Sequence, residues 1–288
     1  MKTVISASRR TDLPAHFYDW LVESFRSGKA IVSRPYNRGT YEVNLAPDEV
    51  HTIVFWSKDF GRLLRDANRW DRYRLFFQFT LNDCPILEPN VSPLAQRLEQ
   101  LKALAGRWGP ERISWRFDPI VFWDNGQRNN LSGLERIAET AAFCGISRCT
   151  FSFMTHYSKT RSRGQRLGIE FYNPPLERKI EVASNLSRTL QKFGITPANC
   201  CNPEIIGVEG IQQAHCIDGV LLTQLAGEPC DERKDSGQRG SCGCTRSVDI
   251  GSYWMECSHA CRYCYARPAG HSAGGHRYPV RKGEISDD

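Results

Sequence analysis

Apolar positions along the chain follow two rhythms. Short runs rich in Val, Ile, Phe and Thr read as strands: TVISAS (residues 3–8), AIVSRP (30–35), TIVFW (52–56), RLFFQFT (74–80), RISWRFD (112–118), CTFSFM (149–154), ITPANC (195–200) and SVDIG (247–251). Between them lie stretches with helical spacing. LPAHFYDWLVESFRSG has Asp12 before it as N-cap and Gly28 as its stop; others run from about Ser92 to Arg107, Leu131 to Phe143 and Pro175 to Lys192, and over IDGVLLTQLAG. YEVNL (41–45) reads as a hairpin arm and is left out of the strand count. About eight strands joined mostly by helices predict an α/β chain with a parallel sheet, and that number suggests a TIM-type (β/α) barrel, complete or partial.

The last strand leads into a cysteine motif and an expected short helix. EPCDERKDSGQRGSCGC before it reads as a polar loop, and residues 267–288, rich in Gly, His and Arg, as a flexible tail. That leaves residues 1–266 as a single barrel domain whose last third (200–266) is rich in cysteine. Polar residues cluster where the strands end: Ser8, Arg9, Arg10 and Asp12, then Lys58 and Asp59, Arg116 and Asp118, and Ser152, Thr155 and His156. In a barrel these ends converge on the rim where substrates bind, so Arg9, Arg10, Asp12, Lys58, Arg116 and Asp118 are candidate substrate-rim residues. Arginine suits bidentate carboxylate or phosphate binding, although Arg116 and Asp118 could simply pair with each other. The basic run SKTRSRGQR (158–166) reads as a solvated loop more readily than as a phosphate contact.

Composition narrows the class. The 288 residues are 40% apolar and 24% charged, with no membrane-length apolar run and no signal-like start. A net charge of +6 permits an anionic substrate or nucleic acid without arguing for either. No Walker loop or dinucleotide fingerprint is present. The expectation is a cytoplasmic protein with no membrane partner. Twelve cysteines in such a chain point to metal or redox chemistry rather than disulfides. Cys84, Cys144 and Cys149 lie scattered beside apolar residues and read as buried thiols; the other nine crowd into the last third.

ECSHACRYCYAR (256–267) carries Cys257, Cys261 and Cys264. Three thiols are one short of a closed tetrahedral zinc site. A [4Fe–4S] cluster held by three cysteines keeps one iron open to a small-molecule ligand. The C-x3-C-x2-C spacing, with an aromatic residue just before the third cysteine, resembles the radical S-adenosylmethionine (SAM) superfamily, and CRYCYA resembles its spore-photoproduct-lyase-like branch. The resemblance implies a [4Fe–4S] cluster on Cys257, Cys261 and Cys264, with Tyr263 near the adenine of SAM. It also implies reductive cleavage of SAM to a 5'-deoxyadenosyl radical that abstracts hydrogen from a substrate, and an electron donor such as flavodoxin or ferredoxin. Two departures stand out. The motif follows the last strand instead of the first, and no Gly-Gly-Glu stretch is visible, GVEG (207–210) being too loose a match. A circular permutation, with SVDIG as first strand and TVISAS as second, accounts for the former. Nearly the whole chain also resembles an uncharacterised bacterial domain-of-unknown-function family, through VISASRRTD, IVFWSKD, FFQFTL, WRFDPI, HCIDG, CGC and DIGSYWMECSHACRYCYA.

That second resemblance places cysteines at CNPE, HCIDG and CGC, picking Cys201 over Cys200 and omitting Cys230. Cys201, Cys216, Cys242 and Cys244 are four thiols, enough to close a second [4Fe–4S] cluster or a structural zinc site, or to stay unligated. His215 and His259 read as bystanders. Two rival readings stand beside the radical enzyme: a non-catalytic Fe–S protein for electron transfer or sensing, and a zinc-stabilised nucleic-acid-binding protein.

Overall fold

The computed structural model describes residues 1–34, 39–266 and 268–269. Its strands are β1 (Thr3–Ala7), β2 (Lys29–Ser33), β3 (Thr40–Asn44), β4 (Val50–Ser57), β5 (Leu75–Thr80), β6 (Ile113–Ile120), β7 (Phe122–Trp123), β8 (Arg128–Asn129), β9 (Arg148–Phe153), β10 (Phe171–Tyr172), β11 (Thr196–Asn199), β12 (Gln212–Gln213) and β13 (Val248–Asp249). The helices are α1 (Leu13–His16), α2 (Tyr18–Arg26), α3 (Gly61–Arg65), α4 (Leu94–Trp108), α5 (Leu134–Phe143), α6 (Ser158–Arg166), α7 (Leu176–Lys192) and α8 (Gly219–Ala226).

Eight strands form one sheet in the order β12-β11-β9-β6-β5-β4-β1-β13, and every neighbouring pair is parallel. The fold is therefore α/β around a large parallel sheet. No ladder joins β12 to β13 among the described residues. The strands read as buried runs because both faces are covered. On β4, Ile53 and Phe55 pack into the main core with the helices, while Val54 and Trp56 face a second cluster that includes Ala214, Cys216, Leu222 and Cys244. On β5, Phe77 and Phe79 join the helices, while Phe76 and Gln78 face segment 214–246.

The eight strands of the sheet are not the eight expected. AIVSRP supplies β2, which pairs antiparallel with β3 as a separate two-stranded unit. Its burial alternates between exposed and buried, as in a ribbon with only one covered face. Pro35 lies outside the described residues. The eighth place goes to Gln212–Gln213, two exposed polar residues with no apolar signal. The expected helix from residue 13 to 28 breaks at Phe17 (φ −126°, ψ 33°) into α1 and α2, and Gly28 (φ +71°) ends the second piece. SKTRSRGQR is not a loop; it is α6. After Cys264 the described residues form turns and a bridge between Cys257 and Pro268 instead of a helix. Apart from Pro268 and Ala269, the tail expected at 267–288 lies outside the described residues.

Helix α8 covers the edge of the sheet where the strands begin. Just beyond it, Glu228 pairs with Lys2 (3.1 Å) and Arg74 (2.7 Å), and its carbonyl bonds His51. Arg112 donates to the Leu225 carbonyl at 3.2 Å. The opposite edge, where the strands end, is thus left to the cysteine motif.

Candidate metal centres

Asp249, at the end of β13, fixes how the motif loop leaves the sheet. It accepts hydrogen bonds from Ser6 Oγ (2.8 Å), Ser8 Oγ (2.7 Å) and the Arg9 amide (2.9 Å), tying the end of β13 to the end of β1. Gly251 lets the chain pass there: a β-carbon on it would lie 2.1 Å from Ser8 Oγ.

The loop is then pinned from several elements. His259 Nε2 meets Asp12 Oδ2 at 2.9 Å, Asn90 donates to the Ser258 carbonyl (2.9 Å), and the Arg262 amide donates to Leu87 (2.9 Å). Tyr265 donates to the Arg9 carbonyl at 2.8 Å. Arg163, on α6, donates to the carbonyls of Cys264 (2.6 Å), Ala266 (3.2 Å) and Cys261 (3.4 Å). A guanidinium satisfies the backbone of a segment with no regular structure of its own.

Cys257, Cys261 and Cys264 are close enough to influence one another electrostatically. Burial pushes all three thiols up, Cys257 to about 12, while Lys58 works in the other direction on Cys261 and Cys264. Beside them lies a buried charge pair. Lys58 Nζ donates to Glu88 Oε1 at 2.8 Å, joined by Asn82 Nδ2 at 2.9 Å and by the Tyr263 hydroxyl. Burial opposes ionisation of Glu88, but Lys58, Tyr263 and Asn82 hold its carboxyl below the ordinary value. Glu88 Oε2 and Asn82 Oδ1 are buried and have no hydrogen-bond partner among the described residues. Buried acceptors of this kind have room for a further donor, such as a water or a ligand group.

The candidate rim residues divide by role. All four of Asp12's carboxylate contacts are internal: the Ala15 amide (3.0 Å), Ser57 Oγ (2.7 Å), the Lys58 amide (2.9 Å) and His259. It caps α1 and holds the motif. Arg9 bonds Ser247 (3.1 Å) and approaches Asp235 (3.7 Å); Arg10 donates to the Gly251 carbonyl (3.0 Å). Both thus line the exit of β13. Arg116 pairs with Asp118, which also accepts from Ser152. Lys58 lies beside the motif, with its ammonium 5.8 Å from the centre of the Tyr263 ring.

The second set of thiols lies on the sheet's other face, where Cys200 and Cys201 meet Cys216, Cys242 and Cys244 of segment 214–246. Cys200 Sγ lies 3.8 Å from Cys201 and 3.6 Å from Cys216, and Cys216–Cys244, Cys244–Cys242 and Cys242–Cys201 contacts complete a ring of five. Cys201 is held below the ordinary thiol value because it accepts from Cys200 and Cys242; Cys200, sharing its proton with Cys201 and Cys216, is pushed up. Cys201, Cys216, Cys242 and Cys244 are thus brought together, with Cys200 as a fifth member. Cys230 stands apart, bonded to Gly219 O at 3.4 Å. Among the described residues, no three Cys, His, Asp or Glu side chains are already set around a common point at ligand distance.

A family model described as Domain of unknown function (DUF1848) matches residues 4–266. The chain belongs to this family. Comparison with curated proteins gives no match. No helix among the described residues is long and apolar enough to cross a membrane.

Three features of this DUF1848 chain escape a reading of its sequence. Glu88 lies in NDCPILEPN, where nothing marks it as a buried carboxylate. Arg163 was hidden in a basic run. A cleft of about 540 Å³ opens beside the motif, lined in part by His16, Asp59, Arg62, Asn90 and His259. For Cys200 the signal was the Cys-Cys pair itself.

Proposed function

We propose that the chain is a radical SAM enzyme whose parallel sheet curls into a permuted (β/α) barrel, with Cys257, Cys261 and Cys264 holding a [4Fe–4S] cluster. One arrangement carries the reading. A single loop delivers three thiols to the edge where the parallel strands end, beside a buried lysine–glutamate pair with acceptors to spare. Three cysteines leave one iron without a protein ligand. When bound, the cluster supplies the electron that cleaves a carbon–sulfur bond of SAM; the protein's task is binding, orientation and exclusion of water.

The residues suit that task. Glu88 Oε2 and Asn82 Oδ1 offer acceptors for an ammonium group, and Lys58 offers positive charge to a carboxylate. Such a pair complements the amino-acid end of SAM. Tyr263, buried with its hydroxyl on Glu88, is the ring expected near adenine. Arg163 and the Asp12–His259 contact hold the thiols' backbone in place. In this reading β13, parallel and adjacent to β1, takes the place of the barrel's first strand. A flavodoxin or ferredoxin would feed the cluster in the cytoplasm, and Arg9, Arg10, Asp12, Lys58, Arg116 and Asp118 would surround or support the substrate.

The test is the iron and sulfide of protein purified without oxygen, followed by electron paramagnetic resonance of the reduced cluster with and without SAM. The reading expects about four irons bound through the motif cysteines and a spectrum that changes when SAM is added. A spectrum indifferent to SAM would favour an electron-transfer or sensing role, and zinc alone with salt-sensitive nucleic-acid binding would favour a nucleic-acid module.

A further inference from the structure

Five sulfurs from three separate segments meet in the second cysteine set, and the chain is shaped to bring them together. Cys200 and Cys201 are consecutive, so on an extended strand their side chains would point to opposite faces. Cys201 instead adopts φ +61°, a left-handed backbone that residues with a β-carbon adopt at a steric cost, and both sulfurs join one ring. Gly243 separates Cys242 from Cys244. A β-carbon there would lie 2.7 Å from the Ala214 carbonyl and 3.0 Å from the His215 ring, so only glycine lets this strand of chain lie so close to Cys216. The surroundings are cationic. Arg116 donates to Cys216 Sγ at 2.9 Å, Arg9 acts on Cys244, and Arg239 acts on Cys201. These guanidinium groups would offset the negative charge of four metal-bound thiolates.

Two edges of the ring fit a single-ion site. A tetrahedral thiolate site with bonds of about 2.3 Å has sulfur–sulfur edges of about 3.8 Å. The contacts of Cys200 with Cys201 and Cys216, at 3.8 and 3.6 Å, have that length. A four-iron cubane carries its thiolates on separate irons and spreads them further apart. The ring therefore has the edge of a one-ion site without its centre, and binding would draw four sulfurs inward. We infer that four of the five thiols Cys200, Cys201, Cys216, Cys242 and Cys244 hold a single tetrahedral zinc ion that clamps segments 200–216 and 242–244 onto the sheet. The inference does not depend on the motif cysteines holding a cluster.

The full-length chain carrying C257S, C261S and C264S separates the two claims, because iron at the motif is then removed. About one zinc per chain, without iron or sulfide, is the expected content. Iron in any form, or no bound metal, overturns the inference. Removing two ring thiols together (C216S/C244S) should lower bound zinc at least tenfold, whereas C230S should leave it unchanged. Should the serine variants fail to fold, zinc X-ray absorption on the wild-type chain decides: four sulfurs at about 2.3 Å support the site, and a nitrogen or oxygen shell, or no zinc, rejects it.

Discussion

Replacing Asp12 with Asn tests how the motif is tied to the body of the protein. The carboxylate is nearly buried and accepts four hydrogen bonds, two on each oxygen. Asparagine keeps the shape, and its carbonyl can still accept from the Ala15 amide and Ser57, preserving the cap of α1. Its NH2 group, however, faces two donors, the Lys58 amide and His259 Nε2. The imidazole can switch tautomer and accept; the Lys58 amide cannot. One buried donor left without a partner costs about 1–3 kcal/mol, and exchanging a charge-assisted bond to His259 for a neutral one adds to this, so the total should be about 2–4 kcal/mol. Urea unfolding of metal-free wild type and D12N should give that difference at an unchanged m-value. Hydrogen exchange of residues 257–266 should accelerate more than that of β4 or β5. A loss below about 0.5 kcal/mol, or unaltered exchange in the motif, would refute the claim that Asp12 anchors the loop.

Arg163→Ala removes a guanidinium that serves three motif carbonyls. It should speed proteolysis or exchange within 257–266, with a stability cost of about 1.5–3 kcal/mol for the loss of charged hydrogen bonds. Gly243→Ala forces a β-carbon against the Ala214 carbonyl and should cost about 1–3 kcal/mol, as overpacking does, in a urea midpoint measurement. In metal-free protein, iodoacetamide should modify Cys201 well before Cys149, whose thiol is raised by complete burial; mass-spectrometric mapping checks the order. Burial raises Tyr18 from 10.0 to about 12. Because the unfolded chain ionises this tyrosine first, its contribution is complete below pH 10 and lost as the pH rises towards 12. Y18F should therefore lose less stability than wild type over that window.

Where burial covered both faces of a segment, the sequence displayed it, as in TIVFW, RLFFQFT and RISWRFD. The sheet position taken by Gln212–Gln213 had no such signal, because two exposed glutamines contribute only backbone to the ladder. AIVSRP misled for the opposite reason: an apolar run can serve a small ribbon packed on one side as well as a central strand. The gathering of Cys201, Cys216, Cys242 and Cys244 was anticipated through the family resemblance, while the inclusion of Cys200 was not. The burial of Glu88 was not legible either, because Lys58 and Tyr263 reach it from distant segments and join the nearby Asn82. Nor was the helical state of SKTRSRGQR, whose buried face consists of Thr160 and Gly164.

The central proposal is that Cys257, Cys261 and Cys264 hold a cluster whose open iron would bind SAM. Anaerobically reconstituted protein, reduced with dithionite and given SAM, should release 5'-deoxyadenosine, and the chain carrying C257S, C261S and C264S should release none. No 5'-deoxyadenosine from a wild-type protein carrying its full motif cluster would contradict the account.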